Sequence, residues 1–465
     1  MEFQRLNPIT GELASTAKAM DVNDIDAIAT KAQAAFEEWS VMGPNARREI
    51  LSKAADALEA RSEALVNAMM VEVGATQGWA MFNIKLAATH IREAAAMTTQ
   101  IGGEVIPSDM PGTIAMATRE PVGVLLGIAP WNAPIILGVR AIVMPLACGN
   151  SVILKASETC PLTHSLIVES FMEAGFPEGC VNIVTNSPEN AGEIVGALID
   201  HPAVRRINFT GSTNVGRIIA KRAAEHLKPV LLELGGKSPL LVLEDADIDE
   251  AVKAAAFGAF MNQGQICMST ERVIVVEAVA GEFERKFAEK AASLVAGDPR
   301  IGSCPLGAVV DAKTIDKVNQ LIDDALSKGG RLLCGQKGES VTMSATVLAD
   351  VTAEMRIYRE ESFGPITAVM RATDEDDALR LANDSEYGLA ASIFTRDTAR
   401  GLKLARKIKS GICHVNGATV HDEAQMPFGG VGSSGYGRFG GKAAVDAFTE
   451  LRWITIETEP RHYPI

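Results

Sequence analysis

The sequence predicts an α/β protein built from two doubly wound, mostly parallel sheets and a small separate β element. Three observations lead to this prediction. The chain has 465 residues, of which 47% are hydrophobic and 22% charged, a composition typical of a globular protein with more than one domain. Short apolar runs alternate with helical stretches between residues 122 and 416. Residues 104–121 contain two short strand-like runs around a turn, and the C-terminal end of the chain also alternates in the manner of a strand.

The first domain is predicted to contain residues 1–103 and 122–234. Apolar residues recur at helical spacing between residues 23 and 73, and five strand-like runs follow. These runs are Val122–Ile128, Ser151–Leu154, Val181–Val184, Arg206–Phe209 and Val230–Leu234. The stretches between them are long enough for crossover helices, which predicts parallel pairing.

A second α/β domain is predicted for residues 235–433, with helices at 374–384 and 397–409. Its strand-like runs are Leu240–Leu243, Arg272–Val276, Arg331–Leu333, Ile366–Met370, Ser392–Phe394 and Ile412–Asn416. Residues 104–121 form two short runs around a Pro/Gly turn, which predicts a protruding β-hairpin. We assign 104–121 and 434–465 to an oligomerisation element, whose exposed edges indicate a homodimer or a tetramer.

Charge and cysteine usage exclude several classes of protein. Lys and Arg total 44 against 58 Asp and Glu, a net charge of −14, which argues against nucleic acid or an anionic membrane as a partner. The uncharged stretch Pro121–Val139 contains three prolines and three glycines, so we interpret it as a strand, a turn and a helix, and not as a membrane span.

The seven cysteines lack metal-ligand spacing, which predicts no metal site and a reducing, cytoplasmic location. The N-terminal residues carry no export or import signal.

Three side chains form a candidate catalytic set. Cys267 follows a helix predicted for Asp249–Phe260, and taken alone it is most simply a packed thiol. Glu233 ends an apolar strand, where a carboxylate is costly unless it is paired or functional. Asn132 lies at the carboxyl end of another strand, where open α/β sheets bind ligands. An ion pair for Glu233 and a turn-forming role for Asn132 are the structural alternatives.

The segment Phe209–Gly216 is a candidate phosphate site, because it follows a strand and opens a helix whose free N–H groups attract an anion. A plain capped helix start is the alternative. The G-x-G-x-x-G pattern at 430–435 lies outside a βαβ unit and carries little weight. Residues 235–238, Gly-Gly-Lys-Ser, match the end of a Walker A loop, but its first glycine is replaced by Leu231, so ATP hydrolysis is not supported.

Five motifs together resemble the NAD(P)-dependent aldehyde dehydrogenase superfamily in their order and spacing. They are Phe-Thr-Gly-Ser-Thr (209–213), Leu-Glu-Leu-Gly-Gly-Lys-Ser-Pro (232–239), Gly-Gln-Ile-Cys (264–267), Glu-Glu-Ser-Phe-Gly-Pro (360–365) and Pro-Phe-Gly-Gly (427–430). The resemblance extends from Asn7 to about residue 456. It implies that the first domain binds NAD and that the second is catalytic.

The resemblance implies a role for each catalytic candidate. Cys267 would attack an aldehyde, the Asn132 amide and the Cys267 N–H would stabilise the oxyanion, and Glu233 would activate water. The residues implied for the cofactor site are Ile128, Trp131, Lys155, Glu158, Gly211, Ser212, Gly216, Leu234, Glu361 and Phe363. Because the carboxylate of Glu158 would repel a 2′-phosphate, NAD is the expected cofactor.

The segments around Asn132 and Cys267 are most similar to those of bacterial salicylaldehyde and vanillin dehydrogenases, which implies a hydroxylated aromatic aldehyde as substrate. The predicted pocket residues are Trp79, Ala133, Ile136, Arg140, Ile266, Met268 and Phe428. Small Ala133 and cationic Arg140 suggest a roomy pocket with a polar feature, whereas a surface ion pair is the alternative for Arg140. Three other functions stay open: a CoA-acylating dehydrogenase, an aliphatic semialdehyde dehydrogenase that pairs Arg140 with a substrate carboxylate, and a non-catalytic protein of the same fold.

Overall fold

The computed structural model describes residues 2–465, in which strands alternate with helices through most of the chain. The strands are β1 (Glu2–Leu6), β2 (Leu13–Lys18), β3 (Glu104–Ile106), β4 (Thr113–Pro121), β5 (Val124–Ile128), β6 (Ser151–Lys155), β7 (Val181–Val184), β8 (Val204–Thr210), β9 (Val230–Glu233), β10 (Ser238–Val242), β11 (Thr270–Val276), β12 (Arg331–Cys334), β13 (Thr346–Ala349), β14 (Ile366–Ala372), β15 (Tyr387–Gly388), β16 (Ala390–Phe394), β17 (Ile412–Val415), β18 (Val431–Gly432), β19 (Gly435–Tyr436) and β20 (Thr449–Glu457). The α-helices are α1 (Val22–Ser40), α2 (Pro44–Ala60), α3 (Ser62–Val73), α4 (Gln77–Met97), α5 (Pro134–Ala147), α6 (Pro161–Glu173), α7 (Ala191–Asp200), α8 (Thr213–Glu225), α9 (Ile248–Phe260), α10 (Glu277–Ala292), α11 (Ala312–Ser327), α12 (Arg356–Arg359), α13 (Glu375–Asn383), α14 (Thr398–Ala405) and α15 (Gly441–Phe448).

The first large sheet has six strands in the order β19-β9-β8-β5-β6-β7. Strands β5 to β9 are parallel to one another, and the short β19 is antiparallel to β9. Every residue of β5 and β6 is buried, as a parallel sheet covered on both faces requires. The order reverses between β5 and β8, which creates the kind of crevice where such sheets bind ligands.

The second large sheet has seven strands in the order β12-β13-β14-β11-β10-β16-β17. Its strands are parallel apart from β12, which is antiparallel to β13. Two mostly parallel sheets with interleaved helices confirm the predicted fold class. The partition of the chain into domains at 234 and 433 stays a prediction.

Helix α5 explains the long uncharged stretch. All of its residues from Pro134 to Ala147 are buried, so it is an internal helix beside β5 and not a surface element. Within residues 2–465, no helix combines the length and the hydrophobicity that a bilayer crossing needs.

A separate three-stranded sheet has the order β20-β4-β3, all antiparallel. The C-terminal strand pairs with the hairpin of the same chain, from Thr449 opposite Pro121 to Glu457 opposite Thr113. Leu451 and Trp453 on β20 are exposed. The use of this sheet as an oligomer interface stays a prediction.

The structure differs from the sequence predictions at several boundaries, each for a local reason. Strand β5 starts two residues later than predicted, because the N–H groups of Val122 and Gly123 donate to the Asn150 side chain (2.7 and 3.2 Å). Helix α14 ends before 409, where the Lys409 N–H donates to Asn383 Oδ1 (2.8 Å). The β1–β2 hairpin, α4 and β13 were not predicted.

The first half of the segment 434–465, which we assign to the oligomerisation element, also contacts the first domain; its use as an oligomer interface stays a prediction. Gly435 pairs with Glu233 and extends the first large sheet, and α15 packs against α4 and α5. A Cβ at Gly435 would lie 2.1 Å from the carbonyl oxygen of Leu232, so this close backbone approach requires glycine. A two-residue strand of this kind has no sequence pattern from which it could be predicted.

Candidate active site

The candidate nucleophile Cys267 lies in a tight turn immediately before β11. The turn is preceded by Asn262 and Gln263, which both have positive φ angles (48° and 57°). The side chain of Gln263 both donates to and accepts from the backbone of residues 307–308 (2.7 and 3.0 Å). Strained backbone that is fixed by side-chain hydrogen bonds is a common feature of functional sites.

Asn132 is held beside this turn by three hydrogen bonds, one from its side-chain nitrogen and two to its backbone oxygen. Its side-chain amide donates to the carbonyl oxygen of Gln265 (2.9 Å). Its own carbonyl oxygen accepts from Trp79 Nε1 (3.0 Å) and from Asn262 Nδ2 (2.9 Å). An amide nitrogen carries two N–H groups, so one donor of Asn132 stays available to a ligand.

Glu233 ends β9, and its side chain is almost completely buried. Neither of its carboxyl oxygens makes a hydrogen bond among residues 2–465. Burial raises the pKa of Glu233 to about 7, although the Cys267 thiol and the charge of Arg140 oppose this shift. A carboxyl group that titrates near neutrality and lacks a structural partner is suited to proton transfer. The ion-pair alternative for Glu233 is therefore wrong.

Burial also raises the pKa of the Cys267 thiol, and the negative charge of Glu233 adds to this effect. The resting form of Cys267 in this structure is therefore the neutral thiol. Its reaction as a nucleophile requires a proton acceptor, and Glu233 is the acidic group that influences Cys267 most strongly.

An apolar cavity of about 350 Å³ opens on one side of Cys267. All seven residues predicted for the substrate pocket line it: Trp79, Ala133, Ile136, Arg140, Ile266, Met268 and Phe428. The sequence prediction missed further wall residues, including Phe82, Leu86, Phe257, Met261, Val420 and Asp422. These belong to α4, to α9 and the turn directly after it, and to the loop after β17. Helical spacing alone does not distinguish such residues from core.

A second cavity, of about 280 Å³, opens on the other side of Cys267. Asn132 and Cys267 line both cavities, and Glu233 lines this second one together with Glu361 and Phe363. The structure thus brings the three predicted catalytic residues to one place, at the junction of two cavities. This junction lies at the carboxyl ends of β5 and β9.

A groove of about 500 Å³ continues from the second cavity along the first large sheet, and the two share Trp131 and residues 210–212. Of the predicted cofactor residues, Ile128, Trp131, Lys155, Glu158, Gly211 and Ser212 line the groove, and Glu361 and Phe363 line the second cavity. Gly216 and Leu234 line neither, and their role in cofactor binding stays a prediction. They pack on each other beneath the groove, since a Cβ at Gly216 would lie 2.5 Å from Leu234 Cδ2.

The groove residues suit a dinucleotide. Helix α8 points its N-terminus at the groove, with Ser212 as the N-cap (Val215 N–H to Ser212 Oγ, 3.4 Å), so free N–H groups face the place of a pyrophosphate. Glu158 accepts from Lys155 and from Asn186 Nδ2 (2.9 Å) at the groove's polar side, where a ribose would hydrogen bond. At the other end, the ring of Phe363 makes an edge contact with Trp131, with centroids 5.8 Å apart.

Glu361 is a second carboxyl group with a perturbed pKa. Burial raises the pKa of Glu361 to about 7, and the charge of Glu271 adds to this. Its Oε1 accepts from the N–H of Gly236 (2.9 Å), which fixes the side chain in the wall of the second cavity.

Arg140 is buried, and its guanidinium group donates to the carboxylate of Asp422 and lies 3.4 Å from His90 Nε2. The same group stacks over the ring of Phe428, 4.3 Å from the centroid. The alternative of a surface ion pair is therefore wrong, because the partner is buried as well. No motif in the sequence links 140 with 422, and the pairing arises only from tertiary contact.

Metal binding finds no support in the geometry: within residues 2–465, no three His, Cys, Asp or Glu side chains cluster in a way that could hold an ion.

Comparison with known proteins identifies the class of protein. The aldehyde dehydrogenase family matches residues 1–454, so the chain belongs to the aldehyde dehydrogenase family and is an enzyme that uses NAD or NADP. It is 58% identical to a vanillin dehydrogenase of Pseudomonas fluorescens, over 100% of this chain and 96% of the relative. It is 49% identical to a salicylaldehyde dehydrogenase of Pseudomonas putida, over 99% and 96% of the two chains. A crystal structure of a salicylaldehyde dehydrogenase from Pseudomonas putida G7 complexed with salicylaldehyde superimposes with a TM-score of 0.99 at 48% identity, covering 100% of this chain and 96% of that one.

Proposed function

We propose that this enzyme oxidises hydroxylated aromatic aldehydes, such as vanillin or salicylaldehyde, to carboxylic acids with NAD as the hydride acceptor. The observation that carries the proposal is that Cys267 is shared by an apolar cavity and a cleft that contains Glu233. The names of the relatives support an aromatic substrate. Flat side chains at the cavity wall, Trp79 and Phe428, support it as well.

In the proposed mechanism, the aldehyde ring enters the apolar cavity and its carbonyl group points toward Cys267. The Cys267 thiol gives its proton to the Glu233 carboxylate, and the sulfur attacks the carbonyl carbon to form a thiohemiacetal. The free N–H of Asn132 and the backbone N–H of Cys267 donate to the oxygen as it becomes negative. Such preorganised donors stabilise the charge that develops in the transition state.

A nicotinamide held beside Glu361 and Phe363 in the second cavity would supply the acceptor for the hydride of the adduct, and Cys267 would then carry a thioester. Glu233 releases to solvent the proton that it took from Cys267 and returns to the carboxylate form. Because this carboxylate carries no structural hydrogen bond that it must break, it can then take a proton from a water molecule. This water attacks the thioester and releases the acid and the thiolate. A buried base near Cys267 favours hydrolysis over transfer to CoA.

Preference for NAD over NADP rests on Glu158. Its carboxylate lies in the groove beside Lys155, where it would accept hydrogen bonds from a ribose hydroxyl group and repel a phosphate. A homodimer or tetramer, joined through the β3–β4–β20 sheet, and a cytoplasmic location complete the proposal.

The test is NADH formation by the purified enzyme with vanillin, salicylaldehyde, benzaldehyde, succinic semialdehyde and hexanal. We expect the aromatic aldehydes to have the highest kcat/KM and the acid to be the product. Higher kcat/KM for succinic semialdehyde would favour the semialdehyde alternative, and acyl-CoA formed after addition of CoA would favour the acylating one. Absence of NADH and NADPH formation with every aldehyde would favour a non-catalytic protein.

A further inference from the structure

The wall of the apolar cavity contains one pair of opposite charges. Among the described residues, Arg140 and Asp422 are the only Lys, Arg, Asp or Glu side chains in this wall. The rest of the wall is apolar or uncharged, apart from His421, which is exposed. The side chains of Arg140 and Asp422 are only 4% and 9% exposed. The charge of the cavity wall is therefore balanced by a single ion pair.

Three separate elements bring this pair together. Arg140 comes from α5, Asp422 from the loop after β17, and His90 from α4, with His90 Nε2 3.7 Å from the Asp422 carboxylate. Burial alone would raise the pKa of Asp422, but the charge of Arg140 and the contact with His90 hold it below its ordinary value. Burial lowers the pKa of His90, so the histidine is neutral. The network thus consists of one cation, one anion and one neutral ring.

Other residues do not satisfy all the hydrogen-bonding atoms of this ion pair. Asp422 Oδ1 and Arg140 Nε are both buried and make no hydrogen bond within residues 2–465. Each charge therefore depends on the other for its compensation. Removal of one charge would leave the other uncompensated in the cavity wall, where it would face the bound ligand.

We propose that Asp422 determines substrate specificity by cancelling the charge of Arg140, so that the cavity rejects aldehydes that carry a carboxylate at their far end. The inference rests on the proposed function, because it assumes that the aldehyde occupies this cavity. The favoured substrates are then neutral aromatic aldehydes, including phenols. Formyl carboxylates, which a free arginine would bind, are excluded.

The physical reason is desolvation. A carboxylate that enters the cavity loses its hydration, and the guanidinium group that could replace it already donates to Asp422. The substrate carboxylate would also meet Asp422 as a like charge. Without the charge at 422, Arg140 could bind a carboxylate through two parallel hydrogen bonds.

The test compares kcat/KM for 4-carboxybenzaldehyde with kcat/KM for 4-methylbenzaldehyde, which has a similar shape and no charge. The ratio of the two values is measured in the wild type, Asp422→Asn, Arg140→Gln and the double variant. We expect Asp422→Asn to raise the ratio at least about tenfold, Arg140→Gln to lower it, and the double variant to return it toward the wild-type value. An Asp422 with only a structural role would lower both kcat/KM values alike and leave the ratio unchanged, and that result would overturn the proposal.

A binding measurement separates this inference from the proposed function. The thermal shift caused by 4-methylbenzoate is compared with that of neutral 4-methylbenzamide in the same four proteins, with no turnover required. We expect the anion to stabilise Asp422→Asn selectively, even if the variant is unstable without it. If 4-methylbenzoate raises the Tm of Asp422→Asn no more than 4-methylbenzamide does, the inference is wrong. Inactivity of the wild type toward vanillin, salicylaldehyde and 4-methylbenzaldehyde alike would instead count against the proposed function.

Discussion

The side-chain amide of Asn132 lies 2.9 Å from the carbonyl oxygen of Gln265, two residues before Cys267. This hydrogen bond joins the end of the β5 loop to the turn of the candidate nucleophile. It fixes one N–H of the amide and so directs the other toward the junction of the two cavities.

Substitution Asn132→Ala removes this donor. We expect kcat to fall about 100-fold to 1,000-fold with little change in KM, because an oxyanion donor acts on the transition state more than on the bound aldehyde. Steady-state NADH formation with vanillin measures both constants. Asn319→Ala, which loses a hydrogen bond to Gly338 remote from both cavities, is the control and should keep the wild-type kcat. An equal loss in the two variants would contradict a role for Asn132 in catalysis.

Substitution Glu233→Gln removes the proposed base but keeps the size of the side chain. We expect steady-state kcat to fall by a factor of about 100 or more, since general-base catalysis contributes that much. Rapid-quench detection of a thioester on Cys267 distinguishes slow hydrolysis from slow attack. Accumulated thioester in the variant would indicate that water activation is the main role. Wild-type turnover in Glu233→Gln would remove Glu233 from the mechanism.

The pH dependence of turnover follows from the pKa of about 7 for Glu233. The base form is the carboxylate, so when hydrolysis limits the rate, kcat should rise with pH up to about 7 and then level off. Below this pKa, kcat should fall about tenfold for each pH unit. A wild-type profile that is flat between pH 5 and pH 8 would contradict the assignment.

The same carboxyl group should also make stability depend on pH. Its pKa is 4.5 when unperturbed and about 7 in the fold, so the folded state holds the proton more tightly than the unfolded state. Stability is therefore lost as pH rises from about 4.5 to about 7, by on the order of 3 kcal/mol. We expect Glu233→Gln to raise the free energy of unfolding at pH 8 more than at pH 5. Urea denaturation of wild type and variant at both pH values measures the difference, and equal effects at the two pH values would contradict it.

Cofactor preference can be tested at Glu158 with Glu158→Gln. Loss of the carboxylate removes the repulsion of a 2′-phosphate, so the ratio of kcat/KM with NAD to kcat/KM with NADP should fall by about tenfold or more. Glu189→Gln changes an exposed carboxyl group outside the groove lining and is the matched control. A wild type that already prefers NADP would show that Glu158 does not select the cofactor.

Much of the fold followed from the sequence because buried parallel strands leave a strong pattern. The run Val181–Val184 is short, bounded by loops and apolar at three of its four positions, and this strand has the predicted bounds. The short strands at the edges of the sheets were less predictable from the sequence. Strand β19 has two residues, and its pairing with β9 depends on a close backbone approach at Gly435 that no local pattern reveals.

The candidate site was predictable where chemistry and strand ends coincide. Glu233 and Asn132 stand out because polar residues at the carboxyl ends of apolar strands are unusual unless they are functional. Asp422 could not be found in this way. It lies in a loop, 282 residues from its partner Arg140, and its importance comes from a buried contact between distant segments.

The pairing of Gly435 with Glu233 has a consequence for the order in which the enzyme matures. The outer neighbour of β9 is supplied by residues that are synthesised about 200 positions after β9 itself. The nucleotide-facing half of the molecule can begin to fold long before then. The acid group of Glu233, however, gains its final surroundings only after Gly435 has been synthesised, so a nascent chain would form most of this sheet before it could turn over substrate.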